Sequence, residues 1–263
     1  MRVCRELGRL VYPSSVDLSS HILRYLTGQL RVRRGEIGMR WWRLPVGRQA
    51  LLALAHLRCG DTCARLAAGF RIGVATVYRY IREAVDVLAV LAVLAPTPAE
   101  AMKTMRTKAY VILDGTLLPV DRIAVGTPYC PGKHKRHGMN VRVLTDPVGR
   151  LLCVSPALPG STHDLTAART HGIIDALADA DGKCGADKAY QGAGRPVPVP
   201  FRGRRLKRWK RRDNSTHANK IRCPGERAVA TLKCRRLLRK LCCSTNRITD
   251  MVKAIVVLHH AST

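Results

Sequence analysis

Apolar residues recur every three or four positions in the first third of the chain and form short β-type runs beyond it. Between Gly47 and about Ala95, breaks at residues 60–61 and 71–73 divide the helical pattern into three segments. Glycine at both breaks is typical of tight turns between helices. The sequence therefore predicts three helices here, within an all-α region that we place at residues 1–95.

The third predicted helix has two distinct faces. One is a core stripe, made of Val74, Val77, Ile81, Ala84 and Leu88. The other carries Ala75, Arg79, Arg82 and Asp86. A short helix, a turn and a second helix with exposed arginines form the helix-turn-helix pattern of DNA-binding proteins, although any small helical bundle can show it. We expect this module at about residues 47–92, with Thr76, Arg79 and Arg82 at the DNA.

Beyond a proline-containing linker at residues 96–106, the periodicity changes to that of strands. Runs at 109–120, 140–149 and 150–160 are short, rich in β-branched or apolar residues and closed by turn residues. They predict three strands joined by hairpins.

A helix that Asp164 caps follows over roughly residues 165–180 and leads to a fourth strand around residues 183–190. Two helical stretches, 225–241 and 247–260, close the chain. This order predicts an α/β domain over residues 107–263, in which helices flank a mixed sheet.

The charge of the chain narrows the choice of partner, because 46 Lys and Arg against 18 Asp and Glu give a net charge of +28. Such a surface favours a polyanion, and nucleic acid is the leading candidate. No apolar run approaches the roughly 20 residues that span a bilayer, and no basic amphipathic helix ends the chain, so no membrane partner is expected. The N-terminus also lacks the apolar segment of a secretory signal.

The basic residues are densest at 202–212, where eight of eleven positions are Lys or Arg. We expect an extended or flexible arm that contacts the DNA backbone, unless it is only a solvated loop. Trp209 within it suggests stacking on an unpaired base. The predicted DNA contacts are Arg204, Arg205, Lys207, Arg208, Trp209 and Lys210.

Ten cysteines in a cytoplasmic chain are expected to be mostly free thiols. Cys59 with Cys63, and Cys130 with His134 and His137, have zinc-like spacing. Neither set has a matching second pair, so we interpret most of these cysteines as small core residues.

Three carboxylates stand on ordered elements of this basic chain. Asp114 and Asp187 each end a predicted strand, and Glu226 opens a predicted helix after Pro224-Gly225. Taken singly, each suits a turn, a cap or a helix dipole. In the order strand-end Asp, strand-end Asp and helix Glu, they match the needs of a site that holds two divalent metal ions and cleaves phosphodiesters.

Four motifs in the same order resemble those of the DDE transposases of bacterial insertion sequences, in the branch related to the Harbinger transposases. They are LDGT at 113–116, PGSTHD at 159–164, ADKAYQG at 186–192, and PGERAVATLK with RLLRKLCC at 224–243. The resemblance covers most of the chain. It implies a ribonuclease-H-like fold and a catalytic, metal-binding triad of Asp114, Asp187 and Glu226.

The resemblance also implies roles for neighbouring residues. An Arg four residues before the Glu and a Lys seven after it correspond to Arg222 and Lys233, which we expect to hold phosphates near the metals. Where related families have a Tyr before that Arg, this chain has Asn219. Asp164 is the rival for the second Asp. Because it precedes the helix rather than following it, we assign it to capping or to support of the ligands.

The sequence thus predicts a transposase that binds terminal inverted repeats and uses two Mg²⁺ ions, with Mn²⁺ as a substitute, for DNA cleavage and strand transfer. A homodimer or larger assembly on DNA is expected, in the bacterial cytoplasm at the nucleoid. A catalytically silent DNA-binding derivative and a nuclease without strand transfer remain alternatives. Without DNA or metal, the three carboxylates are expected to stand apart.

Overall fold

The computed structural model describes residues 19–38, 42–92, 110–121, 137–179, 183–194 and 197–262. The predicted linker and the pair Cys130 and His134 lie outside these ranges. The predicted domain boundaries therefore remain predictions.

Four helices make up the described N-terminal region: α1 (Ser20–Ile37), α2 (Val46–Cys59), α3 (Cys63–Phe70) and α4 (Val74–Leu91). The last three confirm the helical prediction, whereas α1 is an additional helix that the sequence analysis did not identify. Thr62 caps α3 by accepting a hydrogen bond from the N–H of Arg65, and Gly60 ends α2 in the left-handed conformation at φ 70°.

The core face of α4 differs in one position from the predicted stripe. Val74 is 51% exposed, because it opens the helix directly after the turn, and the buried stripe begins one turn later. Its members are Val77, Tyr80, Ile81, Ala84, Val85, Leu88 and Ala89.

A five-stranded mixed sheet follows. Its strands are β1 (Val111–Pro119), β2 (Gly138–Thr145), β3 (Leu151–Val154), β4 (Leu158–Pro159) and β5 (Cys184–Ala186). The order is β3-β2-β1-β5, with β4 paired to β2. β1 pairs with β2 in the antiparallel direction and with β5 in the parallel direction. The predicted hairpin strands are confirmed, except that the third run is divided into β3 and β4.

The helix predicted after β4 is two helices, α5 (Asp164–Thr170) and α6 (Ile173–Asp179), since Gly172 adopts φ 63° between them. The N-cap of α5 is His163, so Asp164 is the first residue of the helix rather than its cap. The capping prediction for Asp164 is therefore wrong.

The last third of the chain is helical. It contains α7 (Arg208–His217), a π-helical turn (Ala218–Arg222), α8 (Cys223–Lys233) and α9 (Ile248–His260), with a 3-10 segment at Arg236–Arg239. The basic segment predicted to be extended becomes helical at Arg208, because Lys and Arg are good helix formers. The helix predicted over 225–241 ends at Lys233.

Helices cover both faces of the sheet. On one face, Leu113 and Leu144 pack with residues of α5 and α6. On the other, Val141 and Val143 join a larger core that α8, α9 and the N-terminal helices share. The ion pair between Arg247 and Asp86 also links α9 to α4. The α/β fold with an N-terminal helical module is thereby confirmed. In the described part of the chain, no helix is long and apolar enough to cross a membrane.

Candidate active site

Asp114 lies half-buried inside β1, and its Oδ1 accepts a hydrogen bond from the N–H of Gly115 at 2.7 Å. The prediction that the strand ends at Asp114 is wrong, since β1 continues to Pro119. The strand continues because of the environment of Gly115, the residue after Asp114. The side chain of Arg142, opposite on β2, lies over Gly115, where an added Cβ would overlap the guanidinium. Gly115 therefore makes room for an arginine instead of making a turn.

Asp187 follows β5 directly, as predicted for a residue at a strand end. The parallel register pairs Leu113 with Ala186, so the next residues, Asp114 and Asp187, are neighbours on adjacent strands. Such strands lie about 4.8 Å apart. The exposed carboxylate of Asp187 accepts a hydrogen bond from the N–H of Lys188 at 2.6 Å.

The pKa of Asp114 reflects this neighbourhood. Burial raises the pKa of its carboxyl group above the usual value, and the hydrogen bond from Gly115 opposes this rise. The carboxylates of Asp187 and Asp164 raise the pKa further. A cation held between Asp114 and Asp187 would relieve the part of this shift that comes from their mutual repulsion.

Glu226 comes to the same place from the helical side, in the first turn of α8. Gly225 lets the helix backbone approach the sheet, because an added Cβ would lie 3.1 Å from Oδ2 of Asp114. Gly185 of β5 similarly lies under the side chain of Ile221 in the π-helical turn. The carboxylate of Glu226 is exposed and forms an ion pair with Arg222 at 2.8 Å.

The three acids line one cavity of ≈ 360 Å³. Among the described residues, however, no three His, Cys, Asp or Glu side chains are gathered closely enough to form a metal site. Glu226 faces Arg222 instead of the aspartates. The donor set, three carboxylates with two on adjacent strands, is nevertheless of the kind that holds hard divalent cations.

Asp164 has a different environment. Its Oδ1 forms an ion pair with Nη1 of the fully buried Arg142 at 2.6 Å and accepts a hydrogen bond from Asn140 at 3.2 Å. Arg142 also donates to the hydroxyl of Tyr190 at 3.1 Å. Because side chains alternate along a strand, Arg142 and Asp164 lie on the face of the sheet opposite to Asp114. Asp164 does not line the cavity.

The two predicted phosphate contacts lie at different distances from the cavity. Arg222 lines it and is exposed. Lys233 is seven residues after Glu226 on α8, about two turns away, and does not line it. Burial lowers the pKa of the half-buried Lys233, an effect that the carboxylate of Asp114 opposes.

The predicted DNA-binding surface of the helix-turn-helix is open to solvent. Arg71 forms the turn between α3 and α4 in the left-handed conformation at φ 56°. Arg79 and Arg82 are exposed on α4, and Thr76 is half-exposed. Tyr78, which the sequence analysis did not single out, is 60% exposed on the same helix. In the sequence, the position of Tyr78 outside the apolar stripe of α4 could have indicated that it is exposed.

The basic arm has a local structure around two aromatic rings. Phe201 and Trp209 pack edge to face with their ring centres 5.4 Å apart, and both are partly exposed. Asn214 fixes Phe201 by accepting from its N–H at 2.8 Å and donating to its carbonyl group at 3.0 Å. The ammonium group of Lys210 lies 5.0 Å and 5.3 Å from the centres of the two rings. Sequence reasoning identified Trp209 but missed Phe201 and Asn214.

Sequence reasoning also missed His217, which lines the cavity with the three acids. Burial lowers the pKa of its ring, while the carboxylate of Asp187 and hydrogen bonds with the backbone at Pro198 and Ala186 oppose this shift. A lone histidine inside a polar segment gave no signal in the sequence.

All eight cysteines in the described residues are free thiols, as expected, but only Cys184 is buried and three of them, Cys223, Cys234 and Cys242, are exposed. The interpretation of most cysteines as core residues is therefore wrong. Cys59 and Cys63 are free and half-exposed. Burial raises the pKa of both thiols.

Comparison with known proteins supports this architecture. Residues 113–260 match the family described as DDE superfamily endonuclease, and residues 42–93 match the helix-turn-helix of DDE superfamily endonuclease. The chain belongs to the DDE superfamily endonucleases. The match over residues 113–260 spans the strands and helices that carry Asp114, Asp187 and Glu226.

A relative of this DDE endonuclease is described as a transposase for the insertion sequence element IS112 of Streptomyces albus G. The two proteins are 30% identical over 215 residues, which cover 79% of this chain and 75% of the relative. No solved structure matches the chain. The protein is therefore a transposase-family endonuclease with a helix-turn-helix, and its superfamily generally uses divalent metal ions.

Proposed function

We propose that this protein is a DNA transposase that binds the terminal inverted repeats of its element, cleaves the DNA there and joins the freed 3′-OH to target DNA. The observation that carries the proposal is the convergence of Asp114, Asp187 and Glu226 on one cavity. Two sheet residues and one helix residue, far apart in sequence, meet there.

The three carboxylates form the proposed metal site. Asp114 and Asp187 would hold the ions from the sheet, and Glu226 would hold them from α8 after leaving Arg222. Two divalent ions, Mg²⁺ or Mn²⁺ in its place, would stabilise the charge on the attacking and leaving oxygens. Asp164, paired with Arg142, supports the sheet from the opposite face.

Basic side chains around the site would neutralise the DNA backbone. Arg222 is exposed at the cavity, and once released from Glu226 it would be free to bind a phosphate. Lys233 would contact the backbone further along α8. The helix-turn-helix would recognise the repeats through Thr76, Arg79 and Arg82. Because two transposon ends are processed together, we propose a dimer or larger assembly on DNA.

The test is an assay that detects joined products. The genomic DNA that flanks the gene supplies the candidate ends, recognised as inverted repeats bordered by short target duplications. Labelled duplexes of these ends, incubated with a target plasmid and Mg²⁺, should be cut and joined to the plasmid. Cleavage without joining would indicate a nuclease instead. Binding without cleavage would indicate a silent DNA-binding protein.

The aromatic pair on the arm is proposed to stack on an unpaired base at the cleaved end. Its support is the exposure of Trp209 and Phe201 beside Lys210 in the most basic segment of the chain. Trp209→Ala should slow end processing about 10-fold while changing duplex binding little. Trp209→Phe, which keeps an aromatic face, is the matched control. Equal losses of processing and duplex binding would contradict stacking.

A further inference from the structure

The buried side chain of Arg142 contacts residues from three of the four sequence motifs, although it lies outside all of them. Its guanidinium forms an ion pair with Asp164, the last residue of PGSTHD, at 2.6 Å. Nη1 also donates to the hydroxyl of Tyr190, in ADKAYQG, at 3.1 Å. An added Cβ on Gly115 of LDGT would overlap the guanidinium, so Arg142 packs directly against the backbone of that glycine.

The contact with Gly115 connects Arg142 to the first aspartate of the site. Because side chains alternate along β1, the guanidinium packs on Gly115 from the face of the sheet opposite to the carboxylate of Asp114. The N–H of the same glycine donates to Oδ1 of Asp114 at 2.7 Å. The backbone group that orients this carboxylate therefore belongs to a residue whose position Arg142 restricts.

The hydrogen bond with Tyr190 connects the same guanidinium to the second aspartate. Tyr190 is buried and is the last residue of the 3-10 segment Lys188–Tyr190, which begins directly after Asp187. Its N–H donates to the carbonyl group of Asp187 at 3.0 Å. A shift of the tyrosine would therefore move the backbone at Asp187, and its hydrogen bond with Arg142 limits such a shift.

Arg142 is itself fixed at both ends. Its backbone lies in β2 opposite Gly115 and exchanges two hydrogen bonds with Ser155. The N–H of Ser155 donates to the carbonyl group of Arg142 at 2.9 Å, and its Oγ accepts from the N–H of Arg142 at 2.9 Å. At the other end, the Asp164 carboxylate that holds the guanidinium also accepts a hydrogen bond from Asn140 at 3.2 Å. The side chain can therefore serve as a rigid support.

We propose that Arg142 is a positioning residue of the active site, which holds the backbone beside Asp114 and beside Asp187 from the opposite face of the sheet and so fixes the spacing of the two carboxylates. This role rests on the proposed metal site and extends the support assigned to Asp164 to both ligands on the sheet. Replacing groups that orient metal ligands without touching the metal typically weakens metal affinity by about 10-fold or more. A residue that only stabilises the fold would not change the metal affinity of the folded protein.

The test measures Mn²⁺ binding to the full-length protein without DNA, by electron paramagnetic resonance of the free ion. Arg142→Met/Asp164→Asn removes the guanidinium together with its counter-charge, so the net charge near the site is unchanged and Asp164 leaves no unpaired carboxylate. This double variant should bind Mn²⁺ about 10-fold more weakly than the wild type. Thermal unfolding of the same samples should show that it is more stable than Arg142→Met alone.

Gly115→Ala tests the same contact from the side of β1 and decides the question if the double variant does not fold. It keeps Arg142 and its partners, but the added methyl group would displace the guanidinium. Mn²⁺ affinity should again fall about 10-fold.

Leu177→Ala is the matched control, because Leu177 is fully buried in the core on the same face of the sheet as the guanidinium. The cavity that it leaves should lower thermal stability. The folded variant should bind Mn²⁺ as the wild type does.

Unchanged affinity in the folded double variant or in folded Gly115→Ala would overturn the positioning role, as would an equal loss in Leu177→Ala. Asp114→Asn separates the two proposals. If it weakens Mn²⁺ binding and the Arg142 and Gly115 variants do not, the metal site stands and Arg142 contributes only to stability. If Asp114→Asn has no effect, the metal site itself is wrong and the positioning role is rejected with it.

Discussion

The two faces of the β1–β2 pair each carry a carboxylate near the same point of the sheet, but in opposite electrostatic states. On one face, Asp164 is neutralised by the buried guanidinium of Arg142. On the other, Asp114 faces Asp187, and no described arginine or lysine forms an ion pair with either aspartate. The ion pair of Asp164 with the buried Arg142 is suited to stabilising the fold. Two neighbouring aspartates without an ion-pair partner are instead suited to binding a metal cation.

The largest expected effect tests whether the two faces differ in this way, by neutralising one acid on each face. Asp114→Asn should lower DNA cleavage about 1,000-fold or more, because metal charge stabilisation is worth several kcal/mol, while repeat binding persists. Asp164→Asn should lower cleavage by no more than about 10-fold, as expected of a residue that supports the ligands. Single-turnover cleavage and a gel-shift assay measure both effects. If Asp164→Asn abolished cleavage in a fully stable protein, Asp164 would take part in the reaction and the contrast between the two faces would be wrong.

Replacing the buried Arg142 tests the face of the sheet on which Asp164 is neutralised. Arg142→Met should lower the free energy of unfolding by roughly 2–3 kcal/mol, somewhat less than for a fully buried pair because Asp164 is 34% exposed. Urea denaturation measures the loss. The double variant Arg142→Met/Asp164→Asn should recover part of it, since no unpaired carboxylate remains. Equal stability of the single and double variants would show that the ion pair is not the cause.

A smaller effect is expected on the other face, where the stability contribution of Asp114 depends on pH. Since the folded-state pKa of Asp114 is raised, its carboxyl group favours folding at pH values below its ordinary pKa of 3.8, and this contribution is lost as pH rises through the folded pKa. Asp114→Asn should therefore gain thermal stability relative to the wild type as pH increases over this range. Melting temperatures without metal, recorded from pH 4 to pH 7, provide the measurement. A difference that does not change with pH would contradict the raised pKa of Asp114 in the folded protein.

The smallest expected effect concerns Arg222, which is exposed and holds Glu226 away from the aspartates. Arg222→Gln should increase Mn²⁺ affinity in the absence of DNA by about 3-fold, the range of an exposed ion pair. Arg227→Gln removes the same charge next to Glu226 without touching its carboxylate and serves as the control. The same increase in both variants would mean that only the net charge matters.

The order of elements along the chain was enough to predict the α/β sheet, whereas the resemblance to DDE transposases was needed to place Asp114 and Asp187 in one site. A helix between the third and fourth strands brings the fourth strand back beside the first, and that pairing aligns the two aspartates. The same reasoning placed Asp164 before the helix, and the structure shows that it lies on the opposite face with Arg142.

Other features depend on contacts that no local pattern encodes. Gly115 resembled a turn residue, and only the side chain of Arg142, distant in sequence, shows why the strand continues. His217 joins the cavity through a π-helical turn, which propensities do not distinguish from an α-helix. The pairing of Glu226 with Arg222 is likewise a rotamer choice that the sequence does not specify.

Gly225 and Gly185 let the helical segment lie directly against the sheet at the site. An alanine at Gly225 would press on the carboxylate of Asp114, and one at Gly185 would displace Ile221. These two positions therefore impose an evolutionary constraint through size alone, separate from the chemistry of the acids. Active descendants of this DDE endonuclease are expected to keep glycine at both positions while the exposed side chains around them diverge, and inactive copies are expected to lose it.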